Sequence, residues 1–214
     1  MKVSRIEADD VTLLDPGSDI WNEVTSTDIL LDPTPLSAQP STYVQAKWEN
    51  LEYGRSRNLA VRAAHNKENI YFRLEWEDPA ADDGIRDTDQ FADAAAVLFP
   101  VADDAPLQSM GSPKQPVNAW YWRPDLELPY SITAQGTGTT RRTVDPELGA
   151  MGGYSSGRWK VVVRRSFRSS GDQYVILVPG EARKVAFAIW QGGNQERGGL
   201  KAVTLEWQPL EIDA

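Results

Sequence analysis

The clearest pattern in the chain is alternation. Across residues 70–77, Ile70, Phe72, Leu74 and Trp76 are separated by Tyr71, Arg73, Glu75 and Glu77, which is the two-residue period of a strand with one buried face. Runs rich in β-branched or aromatic residues at 58–65, 94–99, 118–122, 159–167, 173–178, 185–190 and 200–207 are bounded by Gly, Pro, Asn or Asp and predict further strands. So many short strands, with no internal repeat and no sustained 3.6-residue stripe, predict an all-β fold: an antiparallel two-sheet β-sandwich with long loops and at most short helices. One such helix is expected at 87–94.

Residues 1–57 read as irregular entry structure, broken by Asp15-Pro16-Gly17, Asp32-Pro33 and Pro35, with one strand-like stretch at 43–48. Residues 100–129 carry six prolines around a single strand, and 131–157 are rich in Gly and Thr. Connections that long in a compact domain are usually binding loops or interface segments. At 214 residues, the whole chain suits one domain with its own apolar core.

Composition removes more chemistry than it suggests. With no cysteine, there is no disulfide, protein-held iron–sulfur cluster, covalent haem attachment or thiolate zinc site. A single histidine, His65, excludes two-histidine metal sites within the chain. Acidic residues outnumber basic ones 31 to 22, for a net charge of -9, which disfavours nucleic acid as a partner. No apolar run reaches the length of a membrane span. The opening MKVSRIEADD places acids where a signal peptide needs its apolar stretch, so the expectation is a chain that is cytoplasmic, already processed or carried out by a partner.

Several local motifs have plain readings. Gly153-Tyr154-Ser155-Ser156-Gly157 matches GxSxG, but a strand follows where a nucleophile elbow needs a helix, so a glycine-rich turn is expected. Gly136-Thr137-Gly138 lacks the features of a phosphate cradle and reads as a loop. The segment 82–93 gathers five aspartates; it reads as a solvated turn with Arg86 pairing locally, and calcium is the lesser alternative. Trp120 and Trp122 share a strand face and would form the stacking platform of a carbohydrate-binding sandwich, a competing functional class. A carboxylate-based hydrolase is a third, but its signal is empty without distances.

His65 is in phase with Leu59, Val61 and Ala63, so it points inward, where a satisfied core histidine is the ordinary outcome. Lys201 is in phase with Val203, Leu205 and Trp207, which aims a lysine at the apolar side of its strand. Snorkelling to water is the ordinary reading, and a functional buried amine the alternative. Met110 and Met151 both lie in loop sequence. A thioether is one of the few soft ligands such a composition leaves for iron.

The order ENIYFRLEWEDP, DGIRDTDQFADAAAVLFP, a proline loop with SMGSP, VNAWYWRP and VAFAIWQGGNQERGGLKAVTLEW resembles the haem b (gamma) subunits of ethylbenzene dehydrogenase and its relatives in the dimethyl sulfoxide reductase group. The resemblance runs from about Trp21 to the C-terminus. It implies a β-sandwich that holds one non-covalent haem b between a methionine and a lysine, and that transfers electrons without a catalytic site of its own. Carried over by position, the axial ligands are Met110 of SMGSP and Lys201 of GGLKAV, with His65 as the other candidate for the second position. The implied partners are an iron–sulfur beta subunit and a molybdenum alpha subunit that oxidises the hydrocarbon to an alcohol. An external acceptor such as a c-type cytochrome follows, and the implied location is the periplasm, reached folded with the alpha subunit.

Overall fold

The computed structural model describes residues 1–214 apart from Arg86, Asp103 and Asp172. Among the described residues, fourteen strands are connected through backbone hydrogen bonds. They are β1 (Lys2–Arg5), β2 (Thr27–Leu30), β3 (Asp32–Pro33), β4 (Asn58–His65), β5 (Asn69–Glu77), β6 (Ala94–Pro100) and β7 (Val117–Trp122). There follow β8 (Tyr130–Ala134), β9 (Arg141–Thr143), β10 (Leu148–Ser155), β11 (Arg158–Ser166), β12 (Ala182–Trp190), β13 (Ala202–Val203) and β14 (Gln208–Ile212). The order along the sheet is β10-β11-β5-β4-β1-β14-β12-β6-β7-β8-β9.

β12 is where this ladder turns into two layers. Its first half, Ala182 to Val185, pairs with β14, and its second half, Ala186 to Trp190, pairs with β6. The chain closes on itself at β1, which lies parallel to both β4 and β14; these are departures from the expected antiparallel plan. Between the layers, Phe72 of β5 meets Phe99, Trp120 and Phe187 of the opposite layer at ring-centroid distances of 5.7, 5.9 and 6.4 Å. Each such ring contributes a few kcal/mol by burial, about 1.5–3 for a side chain of this size. The fold is the expected all-β sandwich.

Three local expectations are corrected. Residues 43–48 form a helix, α2 (Thr42–Trp48), started by Ser41, whose hydroxyl accepts from Val44 N. Val44 and Trp48, four residues apart, bury one helical face against Tyr53 and Leu200, which outweighs the β propensity of so short a run. Residues 87–94 are not helical: a turn joins Asp87 to Gln90, and β6 begins at Ala94. Residues 131–157, read as loop, contain most of β8 and all of β9 and β10. These strands lie at the two ends of the sheet, where β9 is wholly exposed and apolar alternation has little reason to appear. Gly152 in β10 is required by packing, since a Cβ there would stand 2.3 Å from the Trp122 ring.

Residues 173–178 show the expected alternation, with Val175 and Leu177 buried and Ile176 exposed, yet they join no ladder. Side chains bond this backbone instead: Asn118 Oδ1 accepts from Val175 N, and Arg165 Nη1 donates to Val175 O. Arg165 is almost fully buried, lies over the Trp120 and Tyr174 rings, and stands 3.1 Å from Asp145 Oδ2. Burial pulls its pKa down and Asp145 opposes that shift. Removing one partner of a buried ion pair leaves an uncompensated charge. Asp145→Ala is therefore expected to lower unfolding free energy in urea by about 3–5 kcal/mol, with Arg165→Met recovering part of the loss in the double variant.

Candidate functional site

Strands β6 and β7 and the second half of β12, from Val185 on, are apolar on both faces except at Asn118. Ala95, Val97, Phe99, Trp120, Val185, Phe187 and Ile189 join the inter-layer core. The alternate residues Ala94, Ala96, Leu98, Ala119, Ala186 and Ala188 face outward, away from that core, and are buried all the same. Register places Ala188 beside Ala96, Ala186 beside Leu98, and Leu98 beside Ala119. The result is a floor of mostly Cβ-sized side chains. Larger residues stand at its margins: Met110, Leu107 and Trp207 at one end, Trp190, Tyr121 and Val203 at the other.

Met110 reaches this face from a tight turn. Its N–H donates to Leu107 O, Gly111 N donates to Pro106 O, and Gly136 N donates to Met110 O. Met110 itself has φ +58, a left-handed conformation that costs a non-glycine residue about 1–2 kcal/mol and persists only where surroundings dictate it. Gly111, at φ +85, could not carry a side chain, since a Cβ would lie 2.8 Å from Gln115 O.

Lys201 enters from the opposite end. β13 pairs with β12 so that Ala202 lies opposite Ile189 and Val203 opposite Ala188. Ala202 therefore faces the core, while Lys201 and Val203 belong to the outer face. The expected phase of Lys201 is thus correct, but its apolar side is the outer floor rather than the main core. Of the expected strand 200–207, only Ala202–Val203 is laddered as β13. The Lys201 amine donates to Gly198 O at 3.2 Å and lies 5.1 Å from the Trp190 ring centroid. Desolvation brings its pKa down to about 8.

The segment carrying Lys201 is fixed by a buried carboxylate that the sequence reading missed. Glu196 accepts from Gly54 N (2.7 Å), Arg55 N (3.3 Å), Gln191 N (3.0 Å) and Asn194 Nδ2 (3.0 Å). Gln39 adds a bond from Nε2 to Gly199 O, and Thr34 N donates to Lys201 O. The only available signal was an acid held between two Gly-Gly pairs in QGGNQERGG.

Other candidates lie elsewhere. His65 ends β4 in the other layer, fully buried, with Nδ1 accepting from Lys67 N and its ring edge-on to Phe167; burial lowers its pKa. Met151 is exposed on edge strand β10. Trp120 and Trp122 are buried in the core, so the expected carbohydrate platform does not exist there. Ser155 ends β10, and Ser156 and Gly157 form the two-residue β10–β11 turn, both at positive φ, as such a hairpin requires. A cleft of about 610 Å³ lined by Arg141, Asp145, Arg168 and Tyr174 contains neither Met110 nor Lys201. In the Asp-rich segment, Asp93 is fully buried, which corrects the solvated-turn reading for that residue; Arg86 lies outside the described residues.

The outer face thus offers an apolar floor with a thioether and a desolvated amine at its margins, both of them donors that could hold iron, and a chain without cysteine could retain such a group only non-covalently. Among the described residues, no helix is long and apolar enough to cross a membrane.

Comparison with solved structures supports the architecture alone. A provisional carbohydrate-binding protein from Bacteroides uniformis aligns with a TM-score of 0.57 at 11% identity, over 100% of this chain and 98% of the other. A family 9 carbohydrate binding module from Caldicellulosiruptor kristjanssonii, in complex with glucose, gives 0.52 at 10% identity, over 100% and 95%. Sequence relatives are much nearer. A Haloferax mediterranei protein provisionally named respiratory nitrate reductase heme subunit is 37% identical over 90% of this chain and 66% of its own length. The gamma subunit of chlorate reductase from Ideonella dechloratans is 34% identical, over 92% and 79%. The gamma subunit of dimethylsulfide dehydrogenase from Rhodovulum sulfidophilum is 35% identical, over 90% and 73%. The ethylbenzene dehydrogenase profile matches residues 18–149 and 136–202, a span that takes in both the Met110 turn and Lys201, and the chain belongs to that family.

Proposed function

We propose that the chain is the haem b-carrying gamma subunit of a molybdenum and iron–sulfur oxidoreductase, with an electron-transfer role and no catalytic site of its own. The observation that carries this reading is the convergence of Met110 and Lys201 on opposite ends of one alanine floor. The relatives named as gamma and heme subunits support it. Bound haem would supply a one-electron couple, and Met110 Sδ and Lys201 Nζ would hold it.

The residues prepare those two contacts. A free lysine amine must lose a proton at a cost of about 5 kcal/mol at pH 7, whereas an amine with a pKa near 8 loses it for about 1–2 kcal/mol. Desolvation over Trp190 thus brings Lys201 near the neutral form that can donate a lone pair. The Met110 turn spends backbone strain to hold its thioether at the face. Two protein ligands would leave no open position for oxygen or substrate, which suits electron transfer rather than catalysis.

The long loops around this face would bury surface against an iron–sulfur beta subunit, itself bound to a molybdenum alpha subunit. The acidic exterior would steer a basic acceptor such as a c-type cytochrome. We propose the periplasm as the location, reached with the folded alpha subunit, and, with the family description as support, ethylbenzene as the alpha subunit's substrate, hydroxylated to 1-phenylethanol. Substrate-dependent reduction of the purified complex tests that choice: ethylbenzene should bleach the oxidised haem band, and reduction by dimethyl sulfide but not ethylbenzene would overturn it.

The purified complex is expected to show a six-coordinate b-type spectrum whose pigment extracts into acid acetone. Met110→Ala should lower the potential, and Lys201→Ala should open a position to added imidazole. Unchanged spectra in both variants would reassign the ligands.

A second test uses the haem-free chain. Because the Lys201 pKa is lowered from 10.5 to about 8 on folding, the unfolded chain binds more protons between those values. Stability therefore rises with pH through that window. Lys201→Met should be more stable than wild type by about 1–3 kcal/mol at pH 7, and the gap should close above pH 10.5. Equal stability of the two proteins at pH 7 would show that the amine is not desolvated.

A further inference from the structure

Asp78, Asp82 and Asp93 each offer a carboxylate oxygen, and these oxygens lie within 4.8 Å of one another. All three belong to the connection between β5 and β6: Asp78 at its start, Asp82 within it and Asp93 at its end. Asp78 and Asp93 are almost fully buried. Asp93 is well supplied, accepting from Gly192 N at 2.8 Å, Asp82 N at 2.9 Å and Trp159 Nε1 at 2.9 Å.

Asp78 is not. Its Oδ1 accepts from Ala80 N at 3.2 Å and Gln191 Nε2 at 3.4 Å, while the buried Oδ2 has no partner. Gln191, which follows β12, is itself buried, and its Oε1 has no partner either. An amide and a carboxylate side by side, each with an unsatisfied buried oxygen, demand an explanation. The backbone comes close because of glycines: a Cβ at Gly193 would stand 2.5 Å from Asp82 Oδ2, and one at Gly192 2.0 Å from Phe91 O.

We infer that Asp78, Asp82 and Asp93, beside the buried Gln191 side chain, form a calcium site that bolts the two layers of the sandwich together at the β5, β6 and β12 ends. The donor set is all oxygen, which selects a hard cation. Two oxygens on one calcium ion stand at most about 5 Å apart, against about 4.2 Å for magnesium, which also keeps several waters. Carboxylate oxygens that all lie within 4.8 Å of one another can share one such ion, and with Asp78 and Asp93 buried there is little room for the waters that magnesium retains. The site does not depend on haem. It does, however, anchor Gln191, the first residue of the segment that leads to Lys201.

The test uses the full chain, in its complex where it purifies so, after depletion with a chelator. Terbium should bind with luminescence sensitised by tryptophan, because Trp159 donates directly to Asp93. Calcium should displace the terbium and raise the thermal midpoint of the depleted protein, and magnesium at equal concentration should do neither. Asp82→Asn, whose backbone contacts remain, should weaken binding by about tenfold or more, while the surface variant Asp125→Asn should bind as wild type. Absence of both sensitised terbium emission and calcium-dependent stabilisation would overturn the site, as would equal terbium affinity in wild type and Asp82→Asn. Displacement by magnesium as effective as by calcium would overturn the calcium assignment.

Discussion

Everything specific to this molecule depends on one constraint: β6, β7 and β12 must bury both of their faces. A strand presents alternate residues to opposite sides, and here one set is mostly large (Ala95, Val97, Phe99, Trp120, Phe187, Ile189) and the other mostly small (Ala94, Ala96, Leu98, Ala119, Ala186, Ala188). The large set interlocks with Phe72 and Trp76 of the opposite layer and makes the core. The small set cannot fill space by itself and leaves a shallow apolar floor, which the Met110 turn and the Lys201 segment border.

That asymmetry links stability to function. The core faces are packed with aromatic rings, with Phe72 against Phe99, Trp120 and Phe187. The outer face holds strained or desolvated groups: a methionine at positive φ and a lysine whose pKa falls to about 8. Glu196 shows how such a site is held in place. One carboxylate satisfies backbone donors from the β12 exit and from residues 54–55, so the segment bearing Lys201 is fixed without a regular ladder.

The sequence made much of the fold legible where one face is buried and the other wet, as in residues 70–77, or where aromatic and β-branched residues concentrate. It was silent where strands lie at sheet ends, as in β9 and β10, and misleading at residues 43–48, where an i,i+4 pair decided for a helix. Residues 94–99 read as a continuous apolar run, so strand phase alone could not reveal that Ala96 and Val97 serve different surfaces. The phase of Lys201 was readable, yet which apolar surface it faced was not, because that required the register of β13 on β12. Glu196 and the Asp78–Gln191 contact join residues far apart in sequence, and no local pattern announces them.

The central claim is that the outer face holds haem iron through the Lys201 amine. Pulsed electron paramagnetic resonance on the oxidised complex, grown with lysine carrying ¹⁵N at Nζ, addresses that bond directly. A hyperfine coupling of directly bonded strength from the labelled nitrogen, absent in Lys201→Met, is the predicted result. Coupling that appears only when histidine is labelled would place His65 on the iron and contradict the account.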